Sequence, residues 1–279
     1  MSSKGRAKKI LISSMGRSGS TWMSNLINYK SDYKEVFEPF FPARVREAEL
    51  FGYYKYLDVS NHEHHLEQVA KLIINGKLDN TWVNSGNRDG YGNGVLIKSI
   101  RSNLMLTWLK RNFPDLKIVF LIRDPLEVAR SWIRLGWGKI PYQNTTDLDV
   151  ILGQETFLAN FPEMSTWRDK LKDMSNFELI VLEWCILNYV PLKQQSKQPG
   201  LFLLVNYNEV ITNPSTQLKR IFDFIEEDFS SDSLRNLQVK SRTTFDGVNS
   251  EFSTTEEEVN NSLKIIEKFR LDKFIIKTA

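Results

Sequence analysis

Short runs in which almost every residue is apolar alternate along this chain with longer stretches whose apolar residues recur every three or four positions. Runs rich in Ile, Val and Leu without polar alternation predict strands buried on both faces, and the three-to-four spacing predicts helices. "KKILIS" at 8–13 is the first such strand, followed by a glycine turn and a helix with Met23, Leu26 and Ile27 on one side. "GVLIKSI" at 94–100 is a second strand, and "SNLMLTWLKRNF" the helix behind it. "DLKIVFLIRDP" at 115–125 is the strongest strand, ending where "LEVARSWIRLGW" begins a helix. "FELIVLEWCILNYVPLKQQ" reads as a long apolar helix, "GLFLLVNYNEV" as the last strand, and "PSTQLKRIFDFIEE" as the helix after it. Residues 33–45, "YKEVFEPFFPARV", are punctuated by Pro39 and Pro42 and are expected to be extended or loop rather than helix. Residues 52–94, whose one convincing helix is "NHEHHLEQVAKLII", and residues 136–176 are irregular and are expected as cap or substrate insertions. Alternation of strands and helices predicts α/β architecture, a single domain of P-loop type over 1–279 with a central parallel sheet flanked by helices.

Composition narrows this picture. The length of 279 residues suits one domain with insertions, and 41% apolar with 25% charged residues describes an ordinary globular chain. A net charge of +3 permits a local anion site but does not coat a surface for nucleic acid. Cys185 is the only cysteine, which excludes an intramolecular disulfide and a cysteine-based zinc cluster; its apolar surroundings predict a buried small hydrophobe. Residues 1–8 read as a flexible basic tail, and the apolar run after them, Ile10–Ile12, is too short for a signal-peptide core. No stretch approaches the roughly 18 apolar residues of a membrane span. The expectation is a soluble, cytoplasmic protein without an integral membrane segment.

Candidate chemistry begins at the turn Gly16–Thr21. Strand, glycine turn and helix together present backbone N–H groups at the positive end of a helix dipole, an arrangement that binds phosphate or sulfate. Gly16 and Gly19 permit close approach, Ser18, Ser20 and Thr21 bring hydroxyls, and Arg17 brings a cation. An ordinary strand-to-helix turn is the plainer alternative. The loop departs from the triphosphate-binding pattern G-x-x-x-x-G-K-[ST], which needs a lysine where this chain has none.

The motif "GRSGSTW" resembles the 5′-phosphosulfate loop of sulfotransferases that use 3′-phosphoadenosine 5′-phosphosulfate (PAPS). It joins the G-R-[ST]-G-S opening of the carbohydrate branch to the tryptophan of the cytosolic branch, here Trp22. A second element, "IVFLIRDPLEVARSW", is similar to the family's 3′-phosphate element, an arginine ending a strand with a serine eight residues on: Arg123 and Ser131. Its local logic is independent of the family. Asp124 suits the N-cap, Pro125 the first helical position, and Glu127 completes a capping-box pattern. Two turns in, Ser131 falls on the face of Asp124, so Arg123 and Ser131 can converge at the carboxyl edge of the sheet, where open α/β sheets bind ligands.

The resemblance implies transfer of a sulfonate from PAPS to an acceptor hydroxyl by in-line displacement, leaving 3′,5′-bisphosphoadenosine (PAP), with no metal required. It aligns Arg17 with the catalytic cation of the family and makes Glu38, in the Glu-Pro of "VFEPF", the candidate general base. A loop glutamate pairing with Arg44 is the alternative for Glu38, and His62, His64 and His65 are competing bases. Lys98 ends a strand on the presumed active edge and can reach the sulfonate; Arg101 is a similar candidate. Ser18, Gly19, Ser20, Thr21, Trp22, Arg123, Ser131 and Tyr207 are the implied nucleotide contacts, with Lys240, Ser241 and Arg242 of a basic C-terminal loop reaching the 3′-phosphate. Trp132, Trp137 and Trp167 either line a sugar cleft or pack in the core. The partner implied is a hydroxyl-bearing acceptor, a saccharide or glycoconjugate by motif style. A P-loop kinase or nucleoside triphosphatase, and a non-catalytic nucleotide-binding module, are the rival readings.

Overall fold

Five parallel strands form one sheet in the order β2-β3-β1-β4-β5. They are β1 Lys8–Ser14, β2 Tyr33–Phe37, β3 Gly94–Ser99, β4 Lys117–Ile122 and β5 Leu203–Asn206. The computed structural model describes residues 7–87, 92–136, 147–238 and 254–276. Its helices are α1 Ser20–Ile27, α2 His64–Ile74, α3 Leu106–Asn112, α4 Pro125–Arg134 and α5 Asp147–Leu152. They continue with α6 Glu155–Asn160, α7 Asn176–Lys197, α8 Tyr207–Thr212, α9 Pro214–Phe224 and α10 Glu256–Lys268.

Both faces of the sheet are covered, as the unalternating strands require. Successive side chains point to opposite faces. Ile10, Ile12, Leu96, Val119 and Leu121 pack with Met23 and Leu26 of α1 and Leu218, Ile221 and Phe222 of α9. Leu11, Ile97, Ile118 and Phe120 pack with α2 and α3 on the other face. A third cluster surrounds α7, to which α4, α5, α6 and α10 contribute. The stretch expected as a first insertion therefore supplies core: Leu66, Ala70, Ile73 and Ile74 of α2 are buried against the sheet.

Strand β2 lies within the segment expected as extended or loop, paired in parallel with β3 from Tyr33↔Gly94 to Phe37↔Lys98. The last strand is shorter than its apolar run. It stops at Asn206, whose side chain accepts the Asn208 N–H at 2.9 Å, and the chain turns helical at Tyr207. In α7, Pro191 sits inside the helix and brings no N–H for the Leu187 carbonyl. The Asn103 amide fills that vacancy, donating to Leu187 at 3.1 Å while its own oxygen accepts from Ser13 at 3.1 Å.

The chain leaves β1 toward β2 on one side of the sheet and leaves β4 toward β5 on the other. The loops after β1 and β4 thus part at a topological switch point, which leaves a crevice at the carboxyl edge. Both motif elements sit there.

Candidate active site

Between β1 and α1 the backbone turns twice through the left-handed region, at Arg17 (φ 68°) and Gly19 (φ 92°). Gly19 has no alternative residue. A Cβ there would stand 2.6 Å from the ring of Tyr207. The first helical bond of α1 runs from Met23 N–H to the Gly19 carbonyl, so the amides ahead of it have no acceptor within the helix. The loop is braced from behind by Trp132, whose Nε1–H donates to the Gly16 carbonyl at 2.9 Å.

The second element meets the first through Arg17. Arg17 Nε donates to Ser131 Oγ at 2.9 Å, and Arg123 Nη1 donates to the Arg17 carbonyl at 3.2 Å. Asp124 caps α4 as its sequence predicts, accepting the Glu127 N–H at 2.8 Å. Glu127 differs from the expected capping box: its carboxylate accepts from Arg123 Nη2 at 2.6 Å. The guanidinium four residues back is the stronger electrostatic partner. Arg123 also lies over the Tyr207 ring at 4.8 Å, and Tyr207 meets Trp22 edge-on at 5.1 Å. Gly19, Trp22, Arg17, Arg123, Ser131 and Tyr207 are therefore one cluster. Trp22 is buried, with Nε1–H donating to the Leu237 carbonyl at 3.1 Å.

Burial first, and then the positive charges of Arg123 and Arg134, lower the hold of Arg17 on its proton. That concentration of like charge favours an anion. Orphaned polar atoms agree: the hydroxyls of Ser14 and Ser18 and the Nε of Arg123 are buried without a hydrogen-bond partner. Ser20 is buried and Thr21 half-buried in the first turn of α1. The donor set suits a phosphate in number, charge and position.

A second group stands at the ends of β2 and β3. Glu38 is 3% exposed and has a left-handed backbone (φ 44°). Lys98 Nζ donates to its Oε1 at 2.5 Å, the Ile100 N–H to its Oε2 at 3.1 Å, and Arg101 lies 3.6 Å from Oε2. Glu38 pairs with these groups rather than with Arg44, which lies over Trp82. Beyond Arg101, Glu183 of α7 and Asp147 of α5 are carboxyls with an unpartnered oxygen each. Burial, then each other's charge, pushes Glu183 well above the carboxylate range, and burial raises Asp147. Neither was marked by a sequence motif; Glu183 sits in an apolar run where only its being charged sets it apart.

The histidines are not brought to this edge. His62, His64 and His65 are exposed around the start of α2. The loop before them runs along α3, with Asn61 accepting from Trp108 at 3.2 Å and Val59 accepting from Arg111. Trp132 and Trp167 are both buried in the α7 cluster, Trp132 behind Gly16 and Trp167 stacked on Phe269. Lys240, Ser241, Arg242 and Trp137 lie outside the described residues. Among the described residues no group of three or more His, Cys, Asp or Glu side chains is placed to hold a metal ion. No helix among them is long and apolar enough to cross a membrane.

A family model described as "Sulfotransferase domain" matches residues 7–270. No curated protein matches the chain. Among solved structures, the sulfotransferase domain from the curacin biosynthetic pathway superposes with a TM-score of 0.50 at 15% identity, covering 95% of this chain and 98% of that one. The sulfotransferase domain of the Synechococcus PCC 7002 olefin synthase gives 0.49 at 16%, covering 97% and 98%. Mouse sulfotransferase SULT7A1, solved in complex with PAP, gives 0.49 at 14%, covering 95% and 86%.

Proposed function

The chain belongs to the sulfotransferase domain family, and from that premise we propose that it moves a sulfonate from PAPS to an acceptor hydroxyl, releasing PAP. One observation carries the donor assignment. The turn after β1 and the turn after β4 meet through Arg17, joined to Ser131 at 2.9 Å and to Arg123 at 3.2 Å. Two anion-binding elements side by side suit a nucleotide with a phosphate at each end of its adenosine. Bound PAPS supplies an activated sulfonate.

In this reading the loop amides, with Ser18, Ser20 and Thr21, hold the 5′-phosphate at the start of α1. Arg123 and Ser131 hold the 3′-phosphate, and Trp22 and Tyr207 flank the nucleoside. Arg17 stabilises the charge that gathers on the leaving phosphate oxygen, oriented by Ser131. Glu38 and Lys98 work as a pair. While Lys98 occupies Oε1, Glu38 is a carboxylate with both oxygens engaged. As Lys98 turns to the sulfonate oxygens, Oε1 is released to take the proton of the acceptor hydroxyl. The Gly-Arg-Ser-Gly-Ser and Glu-Pro motifs favour a saccharide acceptor. The triphosphatase alternative lacks the loop lysine it would need.

The Arg17→Ala variant tests the assignment, assayed with labelled PAPS against a panel of sugars and simple alcohols. Turnover is expected to fall about 10²–10³-fold, the usual cost of one such stabilising donor. PAP affinity stays within a few-fold. Undiminished turnover would overturn the role of Arg17, and PAP binding with no turnover by the parent protein on any acceptor would favour the non-catalytic module.

A further inference from the structure

The C-terminal end of the described chain returns to the turn that carries Arg123. After α10 the chain buries Phe269 and Leu271 in the α7 cluster and makes a short turn of 3-10 helix, Asp272–Phe274. Phe274 is also buried there, edge-on to Trp184 with ring centroids 6.4 Å apart. Trp184 in turn donates its Nε1–H to the Arg123 carbonyl at 3.1 Å. Two residues past Phe274, the Ile276 N–H donates to Asp124 Oδ2 at 2.6 Å. Consecutive residues of the β4–α4 turn are thus held from the same segment, Arg123 through an indole and Asp124 directly.

Asp124 divides its carboxylate. One oxygen caps α4 through Glu127, and the other takes Ile276. Capping alone needs one acceptor, which serine or asparagine also supplies. Two acceptors, with Asp124 only 3% exposed, suit a charge-assisted bond shielded from water. The Ile276 side chain is 46% exposed, so its backbone amide makes the attachment.

We propose that Phe274–Ile276 is a strap that positions Arg123, and that the Ile276 amide thereby sets the affinity of the site for the 3′-phosphate of the nucleotide. The inference rests on the sulfotransferase reading of Arg123. Ile276 is a positioning residue and touches no ligand. The guanidinium it serves has a buried, unpartnered Nε and lies across Tyr207, so a rotation of the turn would move the donor off its target.

Ile276→Pro removes that one donor and leaves the cap of α4 intact. Ile275 already has the extended backbone (φ −78°, ψ 133°) that a following proline requires. Ile276→Ala keeps the amide and serves as control. PAP and adenosine 5′-monophosphate, which lacks the 3′-phosphate, are titrated calorimetrically into each protein after melting has shown it folded. Ile276→Pro is expected to weaken PAP about fivefold to tenfold, a typical size for coupling through packed contacts. Its affinity for adenosine 5′-monophosphate stays within twofold, and Ile276→Ala matches the parent for both. Should the proline variant fail to fold, Asp124→Asn, which keeps one acceptor for the cap, is expected to show the same selective loss. Equal weakening of both nucleotides, or unchanged PAP affinity, would overturn the strap. A parent protein that does not distinguish the two nucleotides would instead sink the reading of Arg123 as the 3′-phosphate group, and the strap with it.

Discussion

Arg17 and Glu38 share a backbone peculiarity: both are non-glycine residues with positive φ at the carboxyl edge of the sheet. Such conformations cost of order 1–3 kcal/mol and persist where surrounding contacts enforce them. Here the contacts are polar ones, from Arg123 and Ser131 on one side and Lys98 and Ile100 on the other. The residue with the clearest consequence for stability is Glu183. Asp147, Tyr54 and Arg101 are the titratable groups around it. Burial raises it well above its ordinary value of 4.5, so the folded protein holds a proton that the unfolded chain gives up. Its contribution is complete below that value and is lost as pH rises toward and through the raised one. Glu183→Gln is isosteric and does not titrate. As pH rises from 4.5 into the range between that value and the raised one, the melting temperature of the variant, relative to the parent, is expected to climb. Parallel profiles in thermal melts across that range would show that Glu183 does not hold the proton.

At the scale of elements, α7 depends on a neighbour to complete its hydrogen bonding. Pro191 leaves the Leu187 carbonyl without its intrahelical donor, and Asn103, itself tied to Ser13 at the end of β1, fills the place. The helix that carries Glu183 and Trp184 is thereby keyed to the strand that leads into the Gly16–Thr21 turn. Asn103→Ala is expected to cost about 1–3 kcal/mol in urea unfolding, the penalty of a buried carbonyl left unpaired. Pro191→Ala restores an N–H in register with Leu187, so the double variant should be more stable than the sum of the singles, by about 0.5–3 kcal/mol. Strict additivity would show that the two groups do not share this carbonyl. Apolar patterning located α7, since burial on nearly all sides is written in composition. It did not show how the helix tolerates Pro191, because Asn103 lies 84 residues from Leu187.

For the whole molecule, the two turns are far apart along the chain, Arg17 and Arg123 being separated by 106 residues, and a ligand that bridges them binds only the folded state. PAP at a hundred times its dissociation constant is expected to add about 2.7 kcal/mol of stability. For a chain of this size that is a rise of roughly 5–10 °C in melting temperature. Adenosine triphosphate with magnesium should give no rise; an equal rise would favour the triphosphatase reading. Sequence alone determined the parallel α/β class and the two strand-turn-helix elements at Gly16–Thr21 and Arg123–Ser131, because a buried strand, a glycine turn and a capped helix are local arrangements with local signatures. It also brought Arg17, Arg123 and Ser131 forward as candidates. Tertiary structure alone decided what each meets: that Glu38 is locked to Lys98, that Glu127 turns to Arg123, that the histidines stand away from the edge, and that the C-terminal segment returns to Asp124. Those outcomes turn on charge and burial among residues far apart in the chain, and no spacing along it records which of them the fold will bring within hydrogen-bonding distance.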